Sequence, residues 1–236
     1  MMFRHLFVLA ALLSASLHAQ TGEIPTIRQS LTTLAWNEPV KGLYYLNGGE
    51  IEELKAYSGG FSLPFSYEGD PVIRFYSDRE SLLLEPEERP RPVGVARLDP
   101  QLKHSLLIFA RNDDGRFKIK SHNFSQKEFP LNSCRIFNFS DLQVVFAFGD
   151  DVEVYPIPPL GELIVSQEGL NDRNQMVKVQ VAQAEGGEMR LVYRSNWRFD
   201  NQSRNTVFVL PGTKEGGSVK MRKFVERGLK PEDVEQ

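Results

Sequence analysis

An all-β fold is predicted by three features of this 236-residue chain. Apolar and polar residues alternate with a period of two along most of its length, residues tolerant of positive φ separate the alternating runs, and helical periodicity is nearly absent. Such alternation sends successive side chains to opposite faces of a strand, so that one face meets a core and the other meets water.

At the N-terminus, Met1 to His5 form a short basic start, residues 6–13 are apolar, and small residues lead to Ser16-Leu17-His18-Ala19-Gln20. This order is the pattern of a secretory signal peptide spanning residues 1–19, with cleavage after Ala19. Its apolar run is too short to span a bilayer, and no later stretch approaches the ~20 apolar residues a spanning helix needs. No Cys follows the cleavage point to accept a lipid, so a periplasmic or secreted location is expected. Loss of Arg4 leaves 27 Lys and Arg against 31 Asp and Glu, a net charge of −4. A mildly acidic chain lacks the basic face that nucleic-acid binding requires. Cys134 is the only cysteine, which excludes an intramolecular disulfide. Sharing a strand face with Ile136, it is expected to be a buried, inert thiol.

Strands are predicted over residues 43–46, 72–76, 93–98, 105–111, 117–120, 134–139, 143–148, 152–155, 162–165, 177–182, 188–200, 206–210 and 219–224. Asn47-Gly48-Gly49, Asp113-Asp114-Gly115, Gly149-Asp150-Asp151 and Glu185-Gly186-Gly187 supply the turns, with Asp114-Gly115 the strongest hairpin signal. In the longest run, Met189, Leu191, Tyr193, Trp197 and Phe199 share a core face, while Arg190, Arg194, Asn196 and Arg198 share the solvent face. The arginine stripe reads as a charged face that keeps the strand from sticking to others. Residues 85–92, EPEERPRP, cannot pack a core and read as a linker. The expected organisation is a first β region over 20–92, a second over 93–226 and a frayed tail over 227–236. Turns every ~8–12 residues favour an antiparallel β-sandwich architecture with two immunoglobulin-like sandwiches.

Chemistry is sparse. After signal removal only His104 and His122 remain, and no Cys or carboxylate flanks them at metal-ligand spacing. His122 is expected to be solvated at a strand end. Nucleophile-elbow, zincin, phosphate-loop and dinucleotide glycine motifs are absent, and Asp113-Asp114 and Asp150-Asp151 read as turn residues. No catalytic, cofactor-binding or metal-ligating residue is therefore assigned. The crowded aromatics Tyr57, Phe61, Phe65, Tyr67, Phe75 and Tyr76 are expected to fill a core, the alternative being rings that stack on sugars. These observations lead to the expectation of an exported, non-catalytic envelope or extracellular module that binds a protein or polymer partner. A carbohydrate-binding or carbohydrate-active protein is the alternative.

The segment Phe129-Pro130-Leu131-Asn132-Ser133-Cys134-Arg135-Ile136-Phe137-Asn138-Phe139-Ser140, followed by Pro159-Leu160-Gly161-Glu162 and Ser195-Asn196-Trp197, resembles a group of uncharacterised secreted bacterial β proteins. In that group an F-P-x-G-S-x-R-x-x-N-x-[ST] stretch leads to a P-G-E turn and a strand ending in Trp. Here Asn132 stands in place of the usual Gly, and Leu160-Gly161 in place of Pro-Gly. The resemblance covers residues 100–220 and implies a β-sandwich without an assigned role.

On export, mass spectrometry of the mature protein should find Gln20 as its first residue. Retention of Met1, or a lipid adduct, would contradict the reading of residues 1–19.

Overall fold

The computed structural model describes residues 26–36, 38–149, 153–167, 176–212 and 217–228, so the segment read as a signal peptide lies outside the described residues. The described chain is all-β, with sixteen strands and a single 3-10 turn at Glu80–Leu82. The first eight strands are β1 (Ile27–Ala35), β2 (Val40–Asn47), β3 (Glu50–Ala56), β4 (Phe65–Gly69), β5 (Val72–Phe75), β6 (Gly94–Arg97), β7 (His104–Arg111) and β8 (Phe117–Asn123). The second eight are β9 (Ser133–Asn138), β10 (Val144–Phe148), β11 (Glu153–Ile157), β12 (Glu162–Ser166), β13 (Met176–Glu185), β14 (Glu188–Arg198), β15 (Ser203–Leu210) and β16 (Lys220–Arg227).

In the first unit, six strands form one sheet in the order β4-β1-β7-β8-β6-β5, and the β2–β3 hairpin covers one of its faces. The hairpin is tied to both edges of that sheet. Tyr44 exchanges backbone hydrogen bonds of 2.9 Å with Tyr76 beyond β5, and the Gly48 N–H donates to Glu68 O of β4 at 2.7 Å. The second unit has two four-stranded sheets, β11-β10-β13-β14 and β12-β9-β15-β16, facing each other across a core that includes Phe146, Phe148, Trp197 and Val207. A third apolar layer joins the units: Leu34, Leu106 and Ile108 of the six-stranded sheet meet Phe137, Phe208 and Phe224 of the β9-containing sheet, with Phe124 and Phe129 of the connecting segment between them.

This stacking explains the least alternating sequences. Every residue of β9 is buried, as are seven of the eight in β15 and five successive residues of β7, because each strand has apolar neighbours on both faces. Pairing is correspondingly mixed: β1 runs parallel to β7, β6 to β8 and β9 to β15, where wholly antiparallel sheets were expected.

The turn chemistry acts as predicted. Gly48 and Gly49 (φ 59° and 90°) close β2–β3, Gly186 and Gly187 (φ 60° and 89°) close β13–β14, and Gly115 (φ 79°) closes β7–β8. Side-chain Cβ atoms would strain all five.

Two expectations are corrected. Residues 85–92 connect β5 to β6, which are antiparallel neighbours in one sheet, so the boundary drawn at residue 92 falls inside the first unit. The units instead meet at residues 124–132, where Phe124 and Phe129 are buried. Along the predicted strand 188–200 the core face holds only for Tyr193 and Trp197 of β14 and for Phe199 just beyond it. Opposite β13, Val181 pairs with Tyr193 but Ala182 pairs with Leu191, so Val192 is an extra residue and the alternation inverts beyond it. Met189 and Leu191 consequently stand 47% and 49% exposed. The bulge also breaks the arginine stripe, since Arg190 turns to Glu185 at 2.6 Å and to Ser218 Oγ at 3.1 Å. Strands β1, β3 and β4 went unpredicted: β1 is buried on both faces along its second half, and β3 reads Glu-Ile-Glu-Glu-Leu with little β propensity.

Because one apolar layer serves both units, they should unfold together. Phe208 stacks on Phe137 at 5.3 Å between ring centroids, and Phe208→Ala should cost about 3–5 kcal/mol. Calorimetry should show one shifted transition for the variant. A second, unshifted transition belonging to the first unit would disprove the shared core.

Candidate functional site

The Phe129–Ser140 segment is engaged inside the fold. Arg135, buried on β9, holds Glu162 of the P-L-G-E turn at 2.5 Å and donates to the Asn123 carbonyl. Asn138 Nδ2 donates to the carbonyls of Leu142, Ile157 and Pro158 at 2.8, 3.2 and 2.9 Å. Ser140 donates its hydroxyl to Asn138 Oδ1 at 2.6 Å. Asn132 sits at φ 56°, a left-handed conformation that Asn tolerates better than most residues. Arg135, Asn138 and Ser140 fasten the turn before β12 to the end of β9, with their polar groups facing one another, whereas Asn132 Oδ1 is buried without a hydrogen-bond partner.

The two histidines lie against the layer between the units. His104 shares a 2.8 Å hydrogen bond with Thr32 Oγ1 and meets Phe124 edge-on, and burial, aided by Arg204, brings its pKa down to about 4. His122, expected in solvent, is mostly buried in β8 with its ring 4.7 Å from Phe137. Burial, then the nearby charges of Arg135 and Lys120, lowers its pKa to about 4 as well. The strand carries His122 past the point where the predicted strand stopped and turns it toward the second unit. Cys134 is fully buried, and burial pushes its thiol up to about 12, out of reach of thiolate chemistry. Among the described residues no three His, Cys, Asp or Glu side chains gather as a metal cage.

Of the six crowded aromatics, Tyr67, Phe75 and Tyr76 are core residues, Phe61 and Phe65 are partly buried against cores, and Tyr57 alone is exposed at 49%. They form no surface row of rings. Trp197 is buried with Phe199 and donates its indole N–H to Tyr193 Oη at 2.8 Å, the core role its register predicted. Asp114 caps its turn by accepting the Arg116 N–H at 3.0 Å, whereas Asp150 and Asp151 lie outside the described residues.

Besides an open hollow of about 330 Å³ lined by Asp114, Arg116 and Lys118 among others, two smaller ones bear on the site. One, about 290 Å³, opens beside Tyr67, Asp70 and Arg74, but its polar groups are paired with each other. Arg74 binds Asp70 at 3.1 Å, and Tyr67 donates to the Asp70 carbonyl at 2.7 Å. The other is a groove of about 240 Å³ at the open end of the layer between the units. Ile108 and Ala110 of β7 and Lys118 and Lys120 of β8 line one side, and Phe139, Leu210 and Pro211 line the other, with Trp36 between them.

Trp36 is fixed from both units. Its N–H donates to the Phe109 carbonyl at 2.8 Å, its carbonyl accepts from Arg222, and its indole packs edge-on against Phe139 and Phe208 at 5.4 and 5.2 Å. Lys118 and Lys120 point to the same side of β8, about 7 Å apart at the usual rise per residue. Lys120 Nζ leans over the Phe139 ring at 5.3 Å. Among the described residues no acidic side chain lines the groove. The sequence shows the two lysines alternating on a strand, but only the packing of the units sets them beside Trp36 and Phe139.

No protein-family model matches the chain, and no curated protein is similar to it.

Both histidines are held neutral in the fold and gain protons only near pH 4, while unfolded histidine titrates near 6.5. Their contribution to stability is complete above pH 6.5 and is lost as pH falls toward 4, on the order of 3 kcal/mol for each ring. Chemical denaturation should therefore show stability falling from pH 6.5 to 5, and His122→Phe should flatten that slope. An unchanged slope in the variant would mean that His122 is not held neutral.

Proposed function

We propose that this chain is an exported, non-catalytic binding module that holds a protein or polymer partner in the groove between its two units. One observation carries the reading: an apolar groove, open to solvent, is flanked by two lysines with no carboxylate partner among the described residues. Binding sites combine apolar walls with a few placed polar groups, and they favour the junction of structural units. Elsewhere the buried arginines are paired with carboxylates, Arg135 with Glu162 and Arg204 with Glu226. Export to a periplasm or to the outside of the cell is supported by the signal pattern of residues 1–19.

The same reading takes the units as two β-sandwiches of immunoglobulin type, related to the secreted β proteins that share the Phe129–Ser140 motif. Its supports are the two facing four-stranded sheets of the second unit and the left-handed Asn132, which occupies the position where that group has Gly.

The test is affinity capture from an envelope extract with three forms of the protein. Ala110→Trp, which fills the groove from a half-buried position, should lose the captured partner, whereas Tyr57→Ala should keep it. Loss of capture with Tyr57→Ala, together with competition by soluble glycans, would move the function to carbohydrate binding. Capture indifferent to Ala110→Trp would remove the groove from the function.

A further inference from the structure

The groove has a chemical polarity that narrows its ligand. Its floor is an extension of the layer that joins the units: Trp36 and Phe139 both pack on Phe208, which belongs to that layer, and Ile108 comes from the layer itself. Its rim on the β8 side carries two ammonium groups. A ligand that completes the site must put an apolar group on the floor and an anion at the rim, and the reach between them is short, because Lys120 Nζ lies 5.3 Å from the ring of Phe139.

A chain-terminal amino acid has that arrangement. Its side chain and its carboxylate leave the same Cα, and a carboxylate presents two oxygens to two separate cations. An Asp or Glu within a strand fits less well, since the apolar neighbours on either side point to the opposite face. The size of the groove points the same way. At about 240 Å³ it falls below the ~300–1,000 Å³ of pockets that enclose a free small molecule, so it suits the end of something larger. Lysines serve this role because their flexible stems let two point charges adjust to one carboxylate.

Building on the reading of the groove as the binding site, we propose that it captures the free C-terminal carboxylate of a partner polypeptide whose last residue is apolar. The last side chain packs on Trp36, Phe139 and Ile108, and the carboxylate takes charge-assisted hydrogen bonds from Lys118 and Lys120.

A six-residue peptide ending in Leu-Phe tests this in three forms: with a free carboxylate, with a C-terminal amide, and as the small acid 3-phenylpropionate alone. Binding is read by the fluorescence of Trp36 in a Trp197→Phe background, which leaves a single indole to report. The free-acid peptide should bind and perturb Trp36, and the amide should bind roughly tenfold more weakly. The double variant Lys118→Gln/Lys120→Gln should erase that difference, and its melting temperature shows that it is folded. Should Trp197→Phe unfold the protein, calorimetric titration of the unsubstituted chain supplies the same comparison.

Equal binding of acid and amide would overturn the carboxylate assignment while leaving the groove as a binding site. Tighter binding of 3-phenylpropionate than of the peptide would overturn it in favour of a free amphipathic acid. Absence of binding by all three probes would also overturn it. The wider reading fails separately, on capture that ignores Ala110→Trp.

Discussion

The architecture depends on one constraint: the six-stranded sheet and the β9-containing sheet each have two apolar faces, and neither sheet can leave one to water. The first sheet buries Leu107 and Phe109 beneath the β2–β3 hairpin while turning Leu106 and Ile108 outward. The second buries Ile136 and Val207 in its own sandwich while turning Phe137 and Phe208 outward. Pressing the two outward faces together satisfies both, at ~25 cal/mol for each Å² of apolar surface removed from water. The stacked rings of Phe137, Phe139 and Phe208 give that contact a defined geometry in addition to its area.

Three arginines of the second unit fix the register of this contact. Arg222 donates to the carbonyls of Trp36 and Ser58, Arg204 to that of Phe129, and Arg135 to that of Asn123. Burying guanidinium groups is costly unless they are paired, and here Arg135 has Glu162 while Arg204 has Glu226 at 2.7 Å. Aromatic faces supply further partners: Arg204 lies 4.2 Å from the ring centroid of Phe124 and 4.6 Å from that of Phe129. An apolar layer alone tolerates sliding. Guanidinium groups aimed at particular carbonyls do not, and the groove keeps its shape because Trp36 is one of the residues they hold.

The strands most legible in the sequence are those with one wet face. Runs such as Val177 to Ala182 alternate because the environment alternates, and turns such as Asp114-Gly115 announce themselves through the positive φ they need. Legibility failed where tertiary contact replaced water. The second half of β1 shows no period because both its faces are dry, and the inversion in β14 depends on Val192, a residue that nothing local marks as a bulge. The segment 85–92 misled because proline and charge signify exposure and not separation; it is exposed, but it loops between neighbours of one sheet. The candidate groove belongs to this second category. Trp36, Lys120, Phe139 and Leu210 are scattered over 175 positions, and no spacing rule unites residues that meet only when two units dock.

The parallel pairs have a consequence for how the chain reaches this state. β1 is completed by β7, and β9 by β15, and the paired residues lie more than seventy positions apart in each case. Contacts that distant in sequence form late, because the entropy of closing the loop is lost before the contacts compensate it. Every chain emerges from synthesis N-terminus first. Its first eight strands can pair before the rest exists, but Leu34, Leu106 and Ile108 stay uncovered until β15 and β16 arrive. During that interval the molecule carries an apolar face with no intramolecular partner, the kind of surface that holdase chaperones recognise. The segment from β15 onward therefore governs its passage from an aggregation-prone intermediate to a sealed one, and truncations into β15 or β16 should be read as losses of shielding before they are read as losses of function.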